Sequence, residues 1–188
     1  YLQVSHYATH VDMQTRAETL AKFEAKPKGR LHSHAAWAGM LADLDTGVGR
    51  LLAEIDRLGL AESPYVILMA DNGAAEFVPP VKNKVDPPSA FPVPPRNHPL
   101  RGGKWVIYEG GIRVPFMVRG PGIKPGSQCD VPVTGWDLLP TLADLAGYRP
   151  PLPADLDGGS FRNLLATGTG TVRRPQEELV ARSRPTTS

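Results

Sequence analysis

The rhythm of apolar and polar positions changes several times along the chain, and each change marks an element. The run Tyr65-Val66-Ile67-Leu68-Met69-Ala70 carries no charge and is rich in branched and aromatic side chains. Such a run reads as a strand buried on both faces, the kind found inside parallel sheets. Pro64 before it and Asn72-Gly73 after it hold it to strand length, against the competing reading of a helix segment. Tyr1 to Tyr7 is a further predicted strand, and Pro115 to Arg119 another, followed by the turn Gly120-Pro121-Gly122. Thr15 to Phe23 reads as a short helix that ends before the Lys26-Pro27-Lys28-Gly29 turn. From Ala35 to Leu60 the apolar positions Trp37, Leu41, Leu44, Val48, Leu51, Ile55 and Leu58 alternate steps of four and three. That is one stripe of a long amphipathic helix, expected to pack on a sheet face, with Gly59 closing it. Asp43, Asp45, Glu54, Asp56 and Arg57 fall mostly on its wet side. Gly47 and Gly49 inside the helix cost about 1 kcal/mol each relative to alanine, so close approach of another element is expected there. Trp136 to Ala146 is a later helix with Gly147 at its end. Strand, helices and strand in this order predict a parallel crossover, hence an α/β fold with a mostly parallel sheet flanked by helices.

Composition narrows the picture. At 188 residues and 41% hydrophobic, the chain is long enough for one domain with a core. A formal charge of +2, from 21 Lys+Arg against 19 Asp+Glu, gives no electrostatic case for nucleic acid or an acidic membrane. No run reaches transmembrane length. The single cysteine, Cys129, rules out an internal disulfide and has no base beside it in sequence, so it reads as inert. The chain opens mid-element on Tyr1-Leu2-Gln3 without an initiating Met, as a piece of a longer protein would. The 20 prolines cluster, eight of them between Ala74 and Leu100 in a segment with no periodicity. That segment is expected to be a stiff rim shaping access to a site, with an insertion of no consequence as the alternative. Residues 167–188 end in the polar run Ala181-Arg182-Ser183-Arg184-Pro185-Thr186-Thr187-Ser188, which has no core pattern.

Candidate chemistry collects at element ends. Asp71 and Asn72 stand at the carboxyl end of the central strand, where ligands bind in open α/β sheets. A carboxylate beside an amide oxygen suits calcium or magnesium, although Asn72-Gly73 is also an ordinary turn that Asp71 can cap. His10 follows the first predicted strand, where an imidazole can protonate a leaving group or bind an anion, or simply hydrogen-bond a loop. Arg101-Gly102-Gly103-Lys104 brings backbone close to a ligand while presenting an ammonium, a good arrangement for one oxygen of a tetrahedral anion. The GxxxxGK[ST] spacing of a phosphate loop is missing. His6 reads as packing, His32 and His34 as surface or capping residues, and Arg113 with Glu109 as a structural ion pair.

Taken in order, His10, Asp71-Asn72-Gly73, Pro99-Leu100-Arg101-Gly102-Gly103-Lys104 and Tyr108-Glu109-Gly110-Gly111-Ile112-Arg113-Val114-Pro115 resemble the sulfatases of the alkaline-phosphatase-like superfamily. Asp137-Leu138-Leu139-Pro140-Thr141 and Leu156-Asp157-Gly158 look like the family's next landmarks. The resemblance implies that residues 1–166 are part of a catalytic domain of a sulfuric ester hydrolase, arylsulfatase-like, with 167–188 as its tail. By that resemblance Asp71 and Asn72 are half of a metal shell for Ca2+, with Mg2+ also admissible. Lys104 grips sulfate and the ester oxygen, and His10 binds sulfate and donates a proton to the leaving alcohol. The nucleophile implied is a formylglycine made from a Cys/Ser-x-Pro-x-Arg motif; this chain lacks one, since Cys129 is followed by Asp130-Val131-Pro132. The N-terminal aspartate pair of the family is missing too. Asn72 after Asp71, where relatives that cleave phosphate or phosphonate esters commonly carry His, tilts the resemblance toward sulfate. A phosphodiesterase or phosphonate hydrolase of the same superfamily, and an inactive truncated fragment, are the rival readings. The substrate implied is a small-molecule or carbohydrate sulfate ester, in a periplasmic, secreted or lysosomal setting.

Overall fold

A computed structural model describes residues 1–10, 13–29, 31–76 and 96–176. The chain divides into two compact units, one of residues 1–61 and 72–114, the other of residues 62–71 and 115–188. Most of the proline-rich segment expected to form a rim, and residues 177–188 of the expected tail, lie outside the described residues.

The first unit is built on two helices, α1 (Ala17–Glu24) and α2 (Ala35–Arg57). α2 begins where His34 accepts a hydrogen bond from the Trp37 N–H at 3.2 Å, which confirms the capping role read for it. It ends before Gly59, whose φ of +70° closes the helix as expected. The helices meet through a carboxylate. Asp43, placed on the wet side by periodicity, accepts from Thr15 Oγ1 (2.7 Å), Thr19 Oγ1 (2.7 Å), the Arg16 N–H (2.9 Å) and Arg16 Nε (2.9 Å). Burial pushes its carboxyl up, but those four donors outweigh it and hold the group well below the ordinary carboxylate range. The face of α2 against α1 is therefore Ala36, Gly39, Met40 and Asp43, while Leu41, Leu51 and Leu58 of the predicted stripe stay exposed. The close-approach glycine is Gly39, where a Cβ would meet Thr15 Oγ1 at 2.7 Å. Gly49 has open space around it, and Gly47 has only His6 at 4.0 Å.

The second unit contains β1 (Val66–Met69) and β2 (Phe116–Arg119), paired antiparallel with Val66 opposite Arg119 and Met69 opposite Phe116. These form a two-stranded sheet, and Tyr1 to Tyr7 pairs with neither: the parallel crossover is not formed among the described residues. Those seven residues belong to no strand and lie exposed. After β2 come a 3₁₀ turn (Gly135–Asp137), the helix α4 (Leu138–Leu145) closed by Gly147, and α5 (Arg162–Thr167); the short α3 (Glu109–Ile112) belongs to the first unit. Asp137 organises this part. Fully buried, it accepts from the Thr134 N–H (2.8 Å), the Gly159 N–H (2.9 Å), Arg174 Nε (2.9 Å) and Arg174 Nη2 (2.7 Å). Thr141, equally buried, donates to the Asp137 carbonyl (2.7 Å) and accepts from the Phe161 N–H (3.0 Å). Phe161 then stands edge-on to Phe116 at 5.7 Å, which joins the helical part to the sheet. Asp144 repeats the device at the surface, accepting from Ser160 and Arg162 at 2.9 Å each.

Removing one partner of a buried, bidentate ion pair leaves an uncompensated charge. Arg174→Met is expected to cost about 3–5 kcal/mol in urea unfolding. Burial pushes the Asp137 carboxyl up, yet Arg174 and the two N–H groups hold it below its ordinary 3.8 in the folded state. The unfolded chain thus takes up this proton first as pH falls. Its stabilisation is complete above the ordinary carboxylate range and is lost as pH drops through the folded value, so unfolding midpoints decline below about pH 5. That decline is expected to be shallower in Arg174→Met, because the group's folded and unfolded titrations then lie closer together.

Candidate active site

Backbone, rather than side-chain packing, places the lysine. The chain leaving Asn72 is stitched to the 101–111 loop by Gly73 N–H to Gly111 O (2.9 Å) and Lys104 N–H to Ala74 O (3.2 Å). The loop closes on itself through Gly110 N–H to Arg101 O (2.8 Å) and Val106 N–H to Gly103 O (3.2 Å). Gly73, Gly102, Gly103, Gly110 and Gly111 are all buried. A Cβ on Gly73 would strike the Gly110 carbonyl, and one on Gly103 the Ala74 carbonyl, so the approach requires glycine there. Asn97 locks the junction. Its Oδ1 accepts from the Ala74 N–H (3.0 Å), and its Nδ2 donates to the carbonyls of Ala74 (2.8 Å) and Gly102 (3.0 Å). The side-chain amide thereby pairs with Ala74 as a neighbouring strand would.

With its backbone fixed, Lys104 reaches His10: Nζ lies 2.9 Å from Nε2. These two residues, 94 positions apart in sequence, are brought together. An ammonium has donors only, so a hydrogen bond from it to His10 uses Nε2 as the acceptor. His10 is held by a turn, its N–H donating to the Tyr7 carbonyl at 2.9 Å, with the Tyr7 ring edge-on at 5.7 Å. The Trp105 indole lies 5.5 Å from Lys104 Nζ, and the Arg101 guanidinium stacks 3.8 Å above Tyr108.

The other sequence candidates divide as follows. Asn72 is half-buried and opens the return of the chain into the first unit, whereas Asp71, exposed, ends the second unit's segment. Their oxygens are hard donors suited to calcium or magnesium. They are too few alone, since calcium takes about six to eight oxygens, so the pair fits part of a shell. Among the described residues no three His, Cys, Asp or Glu side chains converge. His32 stands edge-on to Trp37 at 6.2 Å, and Cys129 is exposed. Arg113 and Glu109 form the expected pair, at 3.5 Å on the surface.

Asn97 was not singled out from the sequence, and its only signal is an Asn two positions before Pro99, a turn-forming arrangement. The Asp137 hub had a stronger one, the spacing Thr134-x-x-Asp137 ahead of an apolar run.

Comparison with known proteins bears on the family. A sulfatase family model matches residues 1–148. Arylsulfatase A of Homo sapiens is 39% identical over 141 residues, 74% of this chain and 24% of that protein. Steryl-sulfatase of Rattus norvegicus is 36% identical over 149 residues, 78% of this chain and 24% of the relative. A sulfatase of Formosa agariphila is 33% identical over 192 residues, 95% of this chain and 32% of the relative. Among solved structures, Ps i-CgsB in complex with k-i-k-neocarrahexaose superposes with a TM-score of 0.67 at 29% identity, covering 86% of this chain and 32% of that one. The chain thus spans between 24% and 32% of the length of these relatives.

Asn97→Ala is expected to remove the partner of the Ala74 N–H and of the Gly102 carbonyl, and one of the two donors to the Ala74 carbonyl. It should cost about 2–4 kcal/mol in chemical denaturation and speed amide exchange at Ala74, with exchange at Thr141 unchanged.

Proposed function

The chain belongs to the sulfatase family, and from that premise we propose that the whole protein is a sulfuric ester hydrolase to which this chain contributes His10, Lys104, Asp71 and Asn72. The observation that carries the reading is the contact of Lys104 Nζ with His10 Nε2 at 2.9 Å, on a loop fixed by buried glycines. A sulfate monoester carries its charge on three nonbridging oxygens, and cleavage of the S–O bond puts new charge on the departing oxygen. Lys104 has three N–H donors. One is engaged by His10, and the others are available to a nonbridging oxygen and to the ester oxygen. When the ester takes Lys104 over, His10 Nε2 is released from its acceptor role. The freed Nε2 takes a proton from solvent and passes it to the oxygen that leaves, so that an alcohol rather than an alkoxide departs.

Sulfatases are metal-dependent, and Asp71 and Asn72 would hold part of the shell of one divalent cation, Ca2+ or Mg2+, which when bound supplies charge neutralisation for the sulfate oxygens. The nucleophile expected is a formylglycine, which the residues of this chain do not provide. Residues 1–166 then form part of a single catalytic domain with a mostly parallel α/β sheet of the alkaline-phosphatase type, and residues 167–188 its polar tail. The likeness to structures of this fold supports that arrangement.

Lys104→Ala in the enzyme carrying this chain is expected to lower kcat/KM on 4-nitrocatechol sulfate about 100- to 1,000-fold. An unchanged rate in this variant would remove the proposed role of the lysine. Faster turnover of 4-nitrophenyl phosphate than of the sulfate ester by the unaltered enzyme would reassign the activity to phosphate esters.

A further inference from the structure

Among the described residues two arginines are withdrawn from full exposure, Arg174 and Arg96. Their surroundings differ. Arg174 lies against Asp137, with Nη2 2.7 Å from a carboxylate oxygen. Arg96 meets no carboxylate and no hydrogen-bond acceptor among the described residues, and its Nη2 is shut off from solvent without a partner. Glu76, whose side chain passes beside Gly103 in the same unit, makes no ion pair with it. Burial pushes the Arg96 guanidinium down from its ordinary value, since nothing beside it offsets the loss of water.

What Arg96 does have is a platform. Its guanidinium carbon stands 4.3 Å from the centre of the Trp37 ring. Trp37 is set in the first turn of α2, its N–H bonded to His34 Nδ1 at 3.2 Å, and His32 stands edge-on to the same indole at 6.2 Å. A ring face attracts the positive charge but gives the N–H groups no oxygen. Packing accounts for the stack, yet an apolar side chain would pack there without a buried, unpaired N–H. A cation that has already given up part of its water also gains more from an anion than a fully hydrated one does. The place in the fold is suggestive too. Asn97, the next residue, donates from Nδ2 to the Ala74 carbonyl, which also accepts from the Lys104 N–H. Arg96 thus enters the junction one residue from the group that fixes Lys104.

We infer that Arg96, held on Trp37, is an anion-binding residue that takes an oxyanion group, carboxylate or sulfate, in addition to the one taken by Lys104 and His10. The anion reaches it at a nitrogen other than the enclosed Nη2, and the indole beneath fixes the direction of the N–H groups. The inference goes beyond the sulfate-ester reading and is measurable without it. Such a group has two sources: a second anionic substituent on the ester, or a free inorganic anion.

Benzenesulfonate and benzene-1,3-disulfonate separate the sources, because both offer Lys104 one sulfonate and only the second carries another. Each is to be measured as an inhibitor of 4-nitrocatechol sulfate hydrolysis by the enzyme carrying this chain and by its Arg96→Gln and Arg96→Lys variants. Radiolabelled inorganic sulfate is to be followed by equilibrium dialysis in Lys104→Ala and in Lys104→Ala with Arg96→Gln. If the ester carries the group, Arg96→Gln raises the Ki of the disulfonate about tenfold and that of benzenesulfonate less than about twofold, with Arg96→Lys in between. If the anion is free, both Ki values hold, and the sulfate retained by Lys104→Ala binds about tenfold more weakly once Arg96 is also replaced. Equal weakening of both inhibitors, with a fall in melting temperature, would make Arg96 a packing residue that acts through Asn97 and overturn the inference. Unchanged Ki values together with unchanged sulfate binding would overturn it as well. An enzyme that hydrolyses no sulfate ester fails the underlying activity instead; dialysis of the two labelled sulfonates then replaces the Ki measurements and reads the same difference.

Discussion

The site depends on one close approach: backbone at Gly73-Ala74 lying directly against backbone at Gly102 to Gly111. A Cβ at Gly73 or Gly103 would meet a carbonyl oxygen of the facing segment, and one at Gly110 or Gly111 a carbonyl of the loop itself, so the contact and the closure of the loop each need two missing side chains. Each glycine carries a penalty in unfolded-state entropy of about 0.5–1 kcal/mol. The return is a set of short backbone hydrogen bonds, reinforced by the three of Asn97. This fixes the Lys104 backbone rather than its flexible stem, and a lysine rooted so firmly has less freedom to lose when its ammonium meets a ligand. The distance to His10 follows from that rooting.

Away from the loop, each unit is organised around a carboxylate. In the first, Asp43 draws donors from the segment entering α1 and from α1 itself; in the second, Asp137 gathers Thr134, Gly159 and Arg174. Among the described residues the buried apolar side chains are few beside them, Met13, Ala36 and Met40 in one unit and Phe161 and Leu164 in the other. Geometry set by several donors around one acid is stricter than geometry set by apolar contact, because an oxygen displaced by an ångström loses bonds while a methyl group slides. The price is sensitivity to acid, since both carboxylates have to remain charged to hold their donors.

What the sequence discloses follows from what a local pattern encodes. Period and punctuation place α2 from Ala35, its His34 cap and its Gly59 stop, because each depends on residues within a few positions of one another. The same pattern does not say what lies against a helix. Asp43 falls on the polar side by periodicity and yet meets Thr15, Arg16 and Thr19, and Gly39 rather than Gly47 or Gly49 is the point of contact. Strand sequences carry no mark of their partner's direction, so the antiparallel pairing of β1 with β2 could not be read from their apolar runs. Asn97 was illegible for a related reason: an amide standing in for a strand neighbour is recognisable only once Ala74, 23 residues away, lies beside it. His10 and Lys104 were legible through the order of several short motifs along the chain, which no single spacing supplies.

The partners of the cations separate structure from site. Arg16, Arg57, Arg113, Arg162 and Arg174 each face a carboxylate: Asp43, Glu54, Glu109, Asp144 and Asp137 respectively. Such a pair has nearly cancelled its own field and has little attraction left for an anion from solution. Lys104 instead meets the His10 ring nitrogen and the face of the Trp105 indole. Lys22, Lys26, Arg96 and Arg101 face aromatic rings as well, and Lys104 is the one of these beside an imidazole nitrogen among the described residues. A site that attracts a monoanionic sulfate ester, and then releases sulfate, needs a cation that is held but not neutralised. A carboxylate partner would supply the first and forfeit the second. On the proposed reading, the pairing of Lys104 with His10 meets both conditions.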